Sequence, residues 1–239
     1  MRAINLPIKL LNRDISILAF NERVMSLAQN VEYPLLERLR FLSIVSSNLD
    51  EFFEVRAAPH VDAMREGEQQ SDVNVESYQA ISRVAHTLVD KQYQIFNDEL
   101  IPALKAQGIR LVSHGERTPD QKRWVSHYFE TNVRPLLVPV ALDPSHPFPQ
   151  VANKSLNFIV SLGGTDAFGR QNNIAIVRVP RALPRLVKLP KNISGKQQLF
   201  VSLSSMIRAH LATLFAGREM LSFSQFRVTR HSDLAVDEE

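Results

Sequence analysis

Residues 46–56, SSNLDEFFEVR, form the densest polar cluster of the sequence and contain the best candidate for a ligand contact. An Asn side chain can donate and accept hydrogen bonds at once, as the edge of an adenine base requires, so Asn48 is that candidate. The alternative is that Asn48 or Asp50 caps a helix and that Arg56 pairs with a neighbouring carboxylate. Residue types alone favour the capping alternative.

A second unusual run, DPSHPFPQVANK, covers residues 143–154 and carries three prolines near its start. Proline restricts the backbone, so the run predicts a rigid, extended loop that leads into a strand. The loop is interpreted either as a connector or as a segment shaped for docking. His146 and Lys154 are candidate phosphate contacts, although exposed polar residues of a connector usually contact water.

Glycine, histidine and cysteine usage excludes several kinds of active site. Neither GxxxxGK[ST] nor GxGxxG occurs, and a turn between two predicted strands explains the pair Gly163–Gly164. The seven histidines include no HExxH pattern, GxSxG is absent, and the chain has no cysteine. The residues therefore identify no catalytic nucleophile and no metal site.

Charge is unevenly distributed along the 239 residues, whose formal net charge is +3. Residues 1–106 hold 11 basic and 15 acidic side chains, whereas the remainder holds 17 and 10. A basic excess attracts polyanions, but it is also typical of an ordinary solvated surface. The basic stripe and aromatic motifs of nucleic-acid-binding modules are missing, so we expect no nucleic-acid partner.

The first part of the chain is predicted to be all-helical, because its apolar residues recur at spacings of three and four. One helix is expected over 14–30 with Asp14 as its N-cap, and the next is expected to be interrupted at 46–48, where poor helix formers stand together. A polar surface loop over 67–77 then leads to a long helix from Tyr78 to near Gly108.

After Gly108 the sequence changes to short β-prone runs separated by breakers, which predicts a mixed α and β unit. A helix capped by Thr118, with Pro119 in its first turn, is expected between the first two strands. The fold class is therefore α+β. The expected strands cover 108–114, 136–142, 156–162, 173–180 and 223–230, with a further helix over 201–217. The sequence stops directly after a predicted strand, so we expect it to be part of a longer protein.

Several runs together resemble the N-terminal portion of bacterial polyphosphate kinases. The most specific is RFLSIVSSNLDEFFEVR, within PLLERLRFLSIVSSNLDEFFEVR. The full set, in order, is FNERV (20–24), that run (34–56), LDPSHPFPQVANKSLNFIV (142–160), VPRALPRLVKLP (179–190) and FRVTRHSDLAVDEE (226–239). The resemblance implies a helical N-terminal domain over 1–107 and a head domain over 108–239 that is incomplete at its carboxyl end.

The resemblance also implies an activity, the transfer of the ATP γ-phosphate to polyphosphate through a phosphohistidine. In that family the histidines and the Mg²⁺-associated residues lie in further domains, so no catalytic residue is expected here and the chain alone should be inactive. The Asn of the family's SNNLDEF-like motif, an ATP contact, falls on Asn48, and the resemblance reverses the earlier preference for capping. Ser47 stands where some relatives have a second Asn and is left without a role.

The partners implied are ATP or ADP, polyphosphate and a second copy of the chain, since the family's head domain is associated with dimer formation. Mg²⁺ is the implied cofactor of the parent enzyme. No apolar run is long enough for a membrane span or a signal peptide, so the expected location is the cytoplasm, with the periphery of the inner membrane as the alternative. Two further hypotheses accompany this one. In the first, the basic excess after Gln107 helps to guide polyphosphate. In the second, which is an alternative to ATP binding, the chain is a purely structural dimerisation module with no ligand contact of its own.

Overall fold

The computed structural model describes residues 12–66, 73–142, 148–165, 173–215 and 217–230. The chain divides into two compact units, of which unit 1 runs up to Leu104 and unit 2 runs from Lys105 to Val228. Helices build unit 1, whereas unit 2 combines helices with two sheets, which confirms the α+β class. The domain ranges 1–107 and 108–239 stay predictions. Within the described ranges, no helix is long and apolar enough to cross a membrane.

Unit 1 is formed by helices whose apolar stripes meet in one core. Along α2, buried side chains recur at spacings of three and four, at Leu42, Val45, Leu49 and Phe52. This period places them on one helix face, which packs against the buried face of α1. The helices are α1 (Arg13–Gln29), α2 (Leu35–Val55), α3 (Ala58–Glu66), α4 (Val75–Gln94) and α5 (Ile101–Ala106).

The predicted N-cap of α1 is wrong by two residues. Asn12 caps the helix, because its Oδ1 accepts hydrogen bonds from the N–H groups of Asp14 and Ile15, both at 3.0 Å. Asn and Asp are about equally good N-caps, so residue type alone does not distinguish Asn12 from Asp14. Asp14 lies instead in the first turn, where its negative charge favours the helix N-terminus.

The predicted interruption at 46–48 is also wrong, since α2 runs unbroken through it. The apolar stripe on either side is buried, and two of the polar side chains find partners on other helices. Ser46 Oγ accepts from Gln92 Nε2, and Asn48 Nδ2 donates to Asn21 Oδ1. Tertiary contacts therefore outweigh the weak helix propensity of this segment. Because Asn48 and Asp50 lie inside the helix, neither is a cap.

The predicted loop 67–77 ends earlier than expected. Asn74 and Ser77 form a capping box that begins α4 at Val75, so residues 75–77 are helical. The part of the loop at 67–72 lies outside the described residues. The predicted long helix is confirmed, with a π-helical turn at Ile95–Leu100 between α4 and α5. The π-helical turn ends with a hydrogen bond from Ile101 N–H to Phe96 O, five residues back. Pro102, which has no N–H to donate, comes directly after it.

Unit 2 contains four of the predicted strands with shorter bounds, the last predicted strand shifted from 223–230 to Met220–Phe226, and two strands that were not predicted. Gly163 and Gly164 follow the third strand, where Gly164 has a φ of +71°. The two strands that were not predicted cover residues 186–188 and 198–202. The predicted helix 201–217 begins at Leu203, because Val201 and Ser202 belong to the second of these strands. The strands are β1 (Ile109–Leu111), β2 (Val138–Ala141), β3 (Asn157–Leu162), β4 (Ile174–Arg178), β5 (Leu186–Lys188), β6 (Gln198–Ser202) and β7 (Met220–Phe226).

The strands form two sheets, ordered β1-β6-β5 and β2-β4-β3-β7. β1 and β6 are parallel, whereas every other described pair is antiparallel. Phe158 and Phe129, both fully buried, lie in the core shared by the strands and helices. The helices of this unit are α6 (Pro119–Tyr128), α7 (Lys191–Ser194) and α8 (Leu203–His210), with a π-helical turn at Phe129–Val133 and 3-10 turns at Arg134–Leu136 and Leu211–Leu214. Thr118 caps α6 as predicted.

Candidate functional site

The structure places Asn48 on the face of α2 that meets α1, next to a second amide. Asn21 on α1 is fully buried, and its Nδ2 donates to the carbonyl of Ile17 at 3.3 Å. This donation leaves Asn21 Oδ1 as an acceptor, and Asn48 Nδ2 donates to it at 2.8 Å. A backbone carbonyl can only accept, so the Ile17 contact fixes the orientation of both amides in turn.

Asn48 keeps hydrogen-bonding capacity beyond this contact. Its side chain is half-buried, and its Oδ1 accepts no hydrogen bond from any described residue. The amide therefore offers one free acceptor and the second N–H of Nδ2. An Asn amide pairs with adenine in this manner, accepting from N6 and donating to N7. Asn48 is thus held in one orientation by its neighbour, while its Oδ1 and its second N–H have no hydrogen-bond partner among the described residues.

A second polar network in unit 1 joins the beginning of α1 to α3 and α4. Asp14 Oδ1 accepts from Arg56 at 3.3 Å, and Asp14 Oδ2 lies 3.1 Å from His60 Nε2. The other ring nitrogen of the buried His60 lies 2.7 Å from Ser77 Oγ. The predicted pairing of Arg56 with a carboxylate is confirmed, with a partner on another helix. This network ties the beginning of α1 to the end of α2 and to the first turns of α3 and α4.

The described part of unit 1 also has a groove that does not include Asn48. It has a volume of about 270 Å³ and lies between α2 and the end of α4, lined by apolar side chains such as Leu39 and Phe96. Gln92 forms its polar wall, because Nε2 donates to Leu42 O and to Ser46 Oγ, both at 2.7 Å. Sequence reasoning did not identify Gln92, since nothing local marks a residue whose partners lie on another helix.

A larger cleft, of about 680 Å³, lies in unit 2. It is located where the parallel strands β1 and β6 end and where α8 begins. Sequence reasoning missed this cleft. The available signal was a group of serines between a strand and a helix, which is typical of a helix N-terminus. The polar residues of its lining are Ser113, His114, Ser202, Ser204, Ser205 and Arg208.

Charges around this cleft are mainly positive. Burial lowers the pKa of the His114 imidazole, and the nearby charges of Arg117, Lys122 and His210 lower it further. Arg117 is itself 5% exposed, and burial lowers the pKa of its guanidinium. Glu116 is the negatively charged exception. Hydrogen bonds from the N–H and hydroxyl of Ser113 lower the pKa of its carboxyl group and so favour its ionised form.

The remaining predicted candidates are His146, Lys154 and Ser47. His146 lies outside the described residues. Lys154 adopts a left-handed φ of 57°, and its N–H donates to Val228 O at 2.7 Å, so its backbone is joined to the segment that follows β7. Ser47 is exposed on α2. Across the part of the chain that the structure describes, no group of three or more His, Asp or Glu side chains could hold a metal ion.

Comparison with known families assigns both parts of the chain. Residues 10–112 match the family model described as the polyphosphate kinase N-terminal domain, and residues 120–239 match the one described as the polyphosphate kinase middle domain. The chain therefore belongs to the polyphosphate kinase family, which confirms the resemblance drawn from its motifs.

Individual relatives agree with this assignment. The chain is 48% identical over 235 residues to a polyphosphate kinase of Neisseria meningitidis serogroup B and 46% identical over 233 residues to one of Pseudomonas putida. These matches cover 97% and 96% of the chain but 34% and 32% of the relatives. The crystal structure of the polyphosphate kinase from Porphyromonas gingivalis is similar, with a TM-score of 0.83, 32% identity and coverage of 97% of this chain and 34% of that one. The chain thus spans about a third of the length of these relatives.

Proposed function

We propose that this chain serves as the N-terminal part of an enzyme that transfers the ATP γ-phosphate to a growing polyphosphate chain through a phosphohistidine. The names of the relatives support this activity, and the chain covers about a third of their length. The phosphorylated histidine belongs to the remaining two thirds in this proposal. The chain by itself is then inactive, and its contribution is to bind and to position.

The proposed binding contribution is a contact between Asn48 and the adenine base of ATP. The observation that carries it is the hydrogen bond from Asn48 Nδ2 to Asn21 Oδ1, which orients the amide and leaves one acceptor and one donor unused. Asn is a weak helix former, so its place inside α2 costs about 0.5 kcal/mol relative to a good helix former. A contact with the nucleotide would explain why an Asn stands at this position despite that cost.

Magnesium enters this proposal as the partner of the nucleotide phosphates and of residues outside the chain. The described residues contain no cluster of three His, Asp or Glu side chains that could hold the ion. Bound near the transferred phosphoryl group, Mg²⁺ would neutralise the charge that develops there. The role of this chain is then to hold the base, while the metal ion and the histidine act on the phosphates.

A purely structural role is the second candidate function, and one observation favours it. Large apolar side chains of unit 1 are exposed, among them Phe20 at 50%, Leu36 at 60% and Tyr93 at 61%. Exposed apolar groups of this size are typical of surfaces that pack against another domain or subunit. The two functions are compatible, because dimerisation through these surfaces would position the same Asn48 contact.

The activity is tested with a chimera in which this chain replaces the matching third of the Neisseria meningitidis enzyme. We expect the chimera to form acid-insoluble polyphosphate from γ-labelled ATP and the 239-residue chain alone to form none. The unmodified Neisseria enzyme is the positive control. A chimera that is folded and has the mass of the parent enzyme, yet forms no polyphosphate, would contradict the proposed function.

A further inference from the structure

The cleft of unit 2 is explained neither by the motifs nor by the Asn48 contact. It opens where two parallel strands, β1 and β6, end, and α8 begins at its edge. Ligands commonly bind beyond the carboxyl ends of parallel strands, because the loops and helix N-termini there present donors toward the same space. The start of α8 adds about half a positive charge to that space.

The donors at this helix end are partly used within the protein. The N–H of Leu203 donates to Arg185 O, and the N–H of Ser205 donates to Ser202 Oγ at 3.2 Å. The N–H of Ser204 has no acceptor among the residues that the structure describes. Ser202 and Ser204 also bring their hydroxyl oxygens within 3.2 Å of one another in the lining.

A buried arginine, Arg117, contacts Ser205 in the lining of the same cleft. Arg117 is only 5% exposed, and its Nη2 donates to the hydroxyl of Ser205 at 2.6 Å. Its Nε has no hydrogen-bond partner among the described residues. Burying a guanidinium is costly unless its charge is compensated, and no described ion pair of Arg117 compensates it. An anion in the cleft would supply the missing compensation.

Arg208 brings a second guanidinium to the cleft from the second turn of α8. Its Cζ lies 5.6 Å from the centre of the Phe223 ring, and both residues line the cleft. A guanidinium stacked on an aromatic ring keeps its edge free for an oxyanion. The described lining includes no Asp or Glu, and Glu116 beside it already accepts from Ser113 and Arg110.

We propose that this cleft is a binding site for phosphate groups of polyphosphate, contacted by Arg208, by the hydroxyl and N–H of Ser204, and by the positive charge of Arg117 behind Ser205. The assignment of polyphosphate as the source of the phosphate rests on the proposed function. The volume of about 680 Å³ admits several consecutive phosphate groups, and every named donor can bind a phosphate oxygen.

The test is calorimetric titration of the 239-residue chain with tripolyphosphate at about 0.15 M ionic strength, where distant surface charges are screened. We expect saturable binding, weakened about tenfold by Arg208→Gln, the effect of one charge-assisted hydrogen bond. Arg123→Gln is the matched control, since Arg123 is exposed on α6 and the substitution removes the same charge. Its affinity should change less than about twofold.

Ser204→Asp separates loss of the site from loss of the fold. A carboxylate in the first turn favours the helix, so the melting temperature should be unchanged or higher. The same carboxylate repels an anion, and tripolyphosphate binding should fall below detection. A chain with Ser204→Asp that binds tripolyphosphate like the wild type would overturn the site, as would equal weakening by Arg208→Gln and Arg123→Gln or no binding by the wild type.

Two further measurements test the source of the phosphate and the location of the site. ATP is titrated into the Asn48→Ala chain, and binding tighter than that of tripolyphosphate would overturn polyphosphate in favour of a nucleotide. The ring resonances of His114 are followed by NMR with and without tripolyphosphate, because a bound anion should raise the pKa of this imidazole. An unchanged His114 titration at saturating ligand would also contradict the site.

The result is independent of the chimera assay. An active chimera together with no tripolyphosphate binding would remove the cleft and leave the proposed function in place. An inactive chimera together with binding that Arg208→Gln weakens would remove the proposed function and leave an oxyanion site.

Discussion

Asn48 donates a hydrogen bond from its side-chain amide to Oδ1 of Asn21 across 2.8 Å, and this contact joins α2 to α1. The two residues are 27 positions apart in the sequence. Asn21 is fully buried, and its own amide is fixed by the carbonyl of Ile17. The orientation of Asn48 therefore depends on a neighbour that no ligand can reach.

Replacing Asn21 by Ala tests this dependence. The change leaves Asn48 Nδ2 without its acceptor inside the packed interface of α1 and α2, so we expect the free energy of unfolding to fall by about 1–3 kcal/mol. Urea denaturation measures this loss. In the chimera the same change should raise the KM for ATP, because Asn48 is no longer oriented. Asn97→Ala is the control at an exposed amide, and wild-type values for both quantities in Asn21→Ala would contradict the account.

The network at the start of α1 gives a second prediction. Asp14→Ala removes the carboxylate shared by Arg56 and the buried His60. Groups left without partners after burial are costly, so the free energy of unfolding should fall by about 1–3 kcal/mol. Asp90→Ala, at an exposed position of α4, should change it by less than about 0.5 kcal/mol. Equal effects of the two substitutions in urea denaturation would show that the network does not stabilise the fold.

Glu116 predicts a pH dependence of stability. Hydrogen bonds from Ser113 lower the pKa of its carboxyl group below the ordinary value of 4.5. The ionised group therefore stabilises the fold above that ordinary value, and its contribution is lost as the pH falls through the lowered pKa. We expect Glu116→Gln to melt below the wild type at about pH 7 and the difference to shrink toward about pH 3. Glu51→Gln, at an exposed site of α2, is the control; a difference that is constant with pH would exclude this role.

Arg117 gives a prediction that separates binding from stability. Met has a similar length and needs no hydrogen-bond partner, so Arg117→Met should change the free energy of unfolding by less than about 1 kcal/mol. Tripolyphosphate affinity should nevertheless fall, because a buried positive charge behind Ser205 is lost. Differential scanning calorimetry and titration of the same sample measure both. A wild-type affinity in this variant would assign Arg117 a structural role only.

The helices of unit 1 were predictable because their apolar residues repeat at helical spacing, and this local pattern also defines the packed face. Their ends were less predictable, since Asn12 and Asp14 are nearly equivalent caps and only the folded chain selects between them. The break predicted at 46–48 failed because contacts from α1 and α4 outweigh propensity there.

The strands β5 and β6 were missed for a related reason. β5 has three residues and lies in a proline-rich run, so its local signal is weak, and its partner β6 has only five residues. The cleft of unit 2 could not be predicted from spacing, because Arg117 and Ser205 are brought together from positions 88 residues apart. Residue types alone made Asn48 a candidate ligand contact but favoured a helix cap, and the family resemblance reversed that preference.

The most direct test of the central claim is the KM for ATP of the chimera with and without Asn48→Ala. We expect an increase of about tenfold in KM, with little change in kcat and the same oligomeric mass by light scattering, because a contact to the base acts equally in the ground and transition states. An unchanged KM in an Asn48→Ala chimera of normal mass and activity would contradict the claim and leave this chain with a structural role alone.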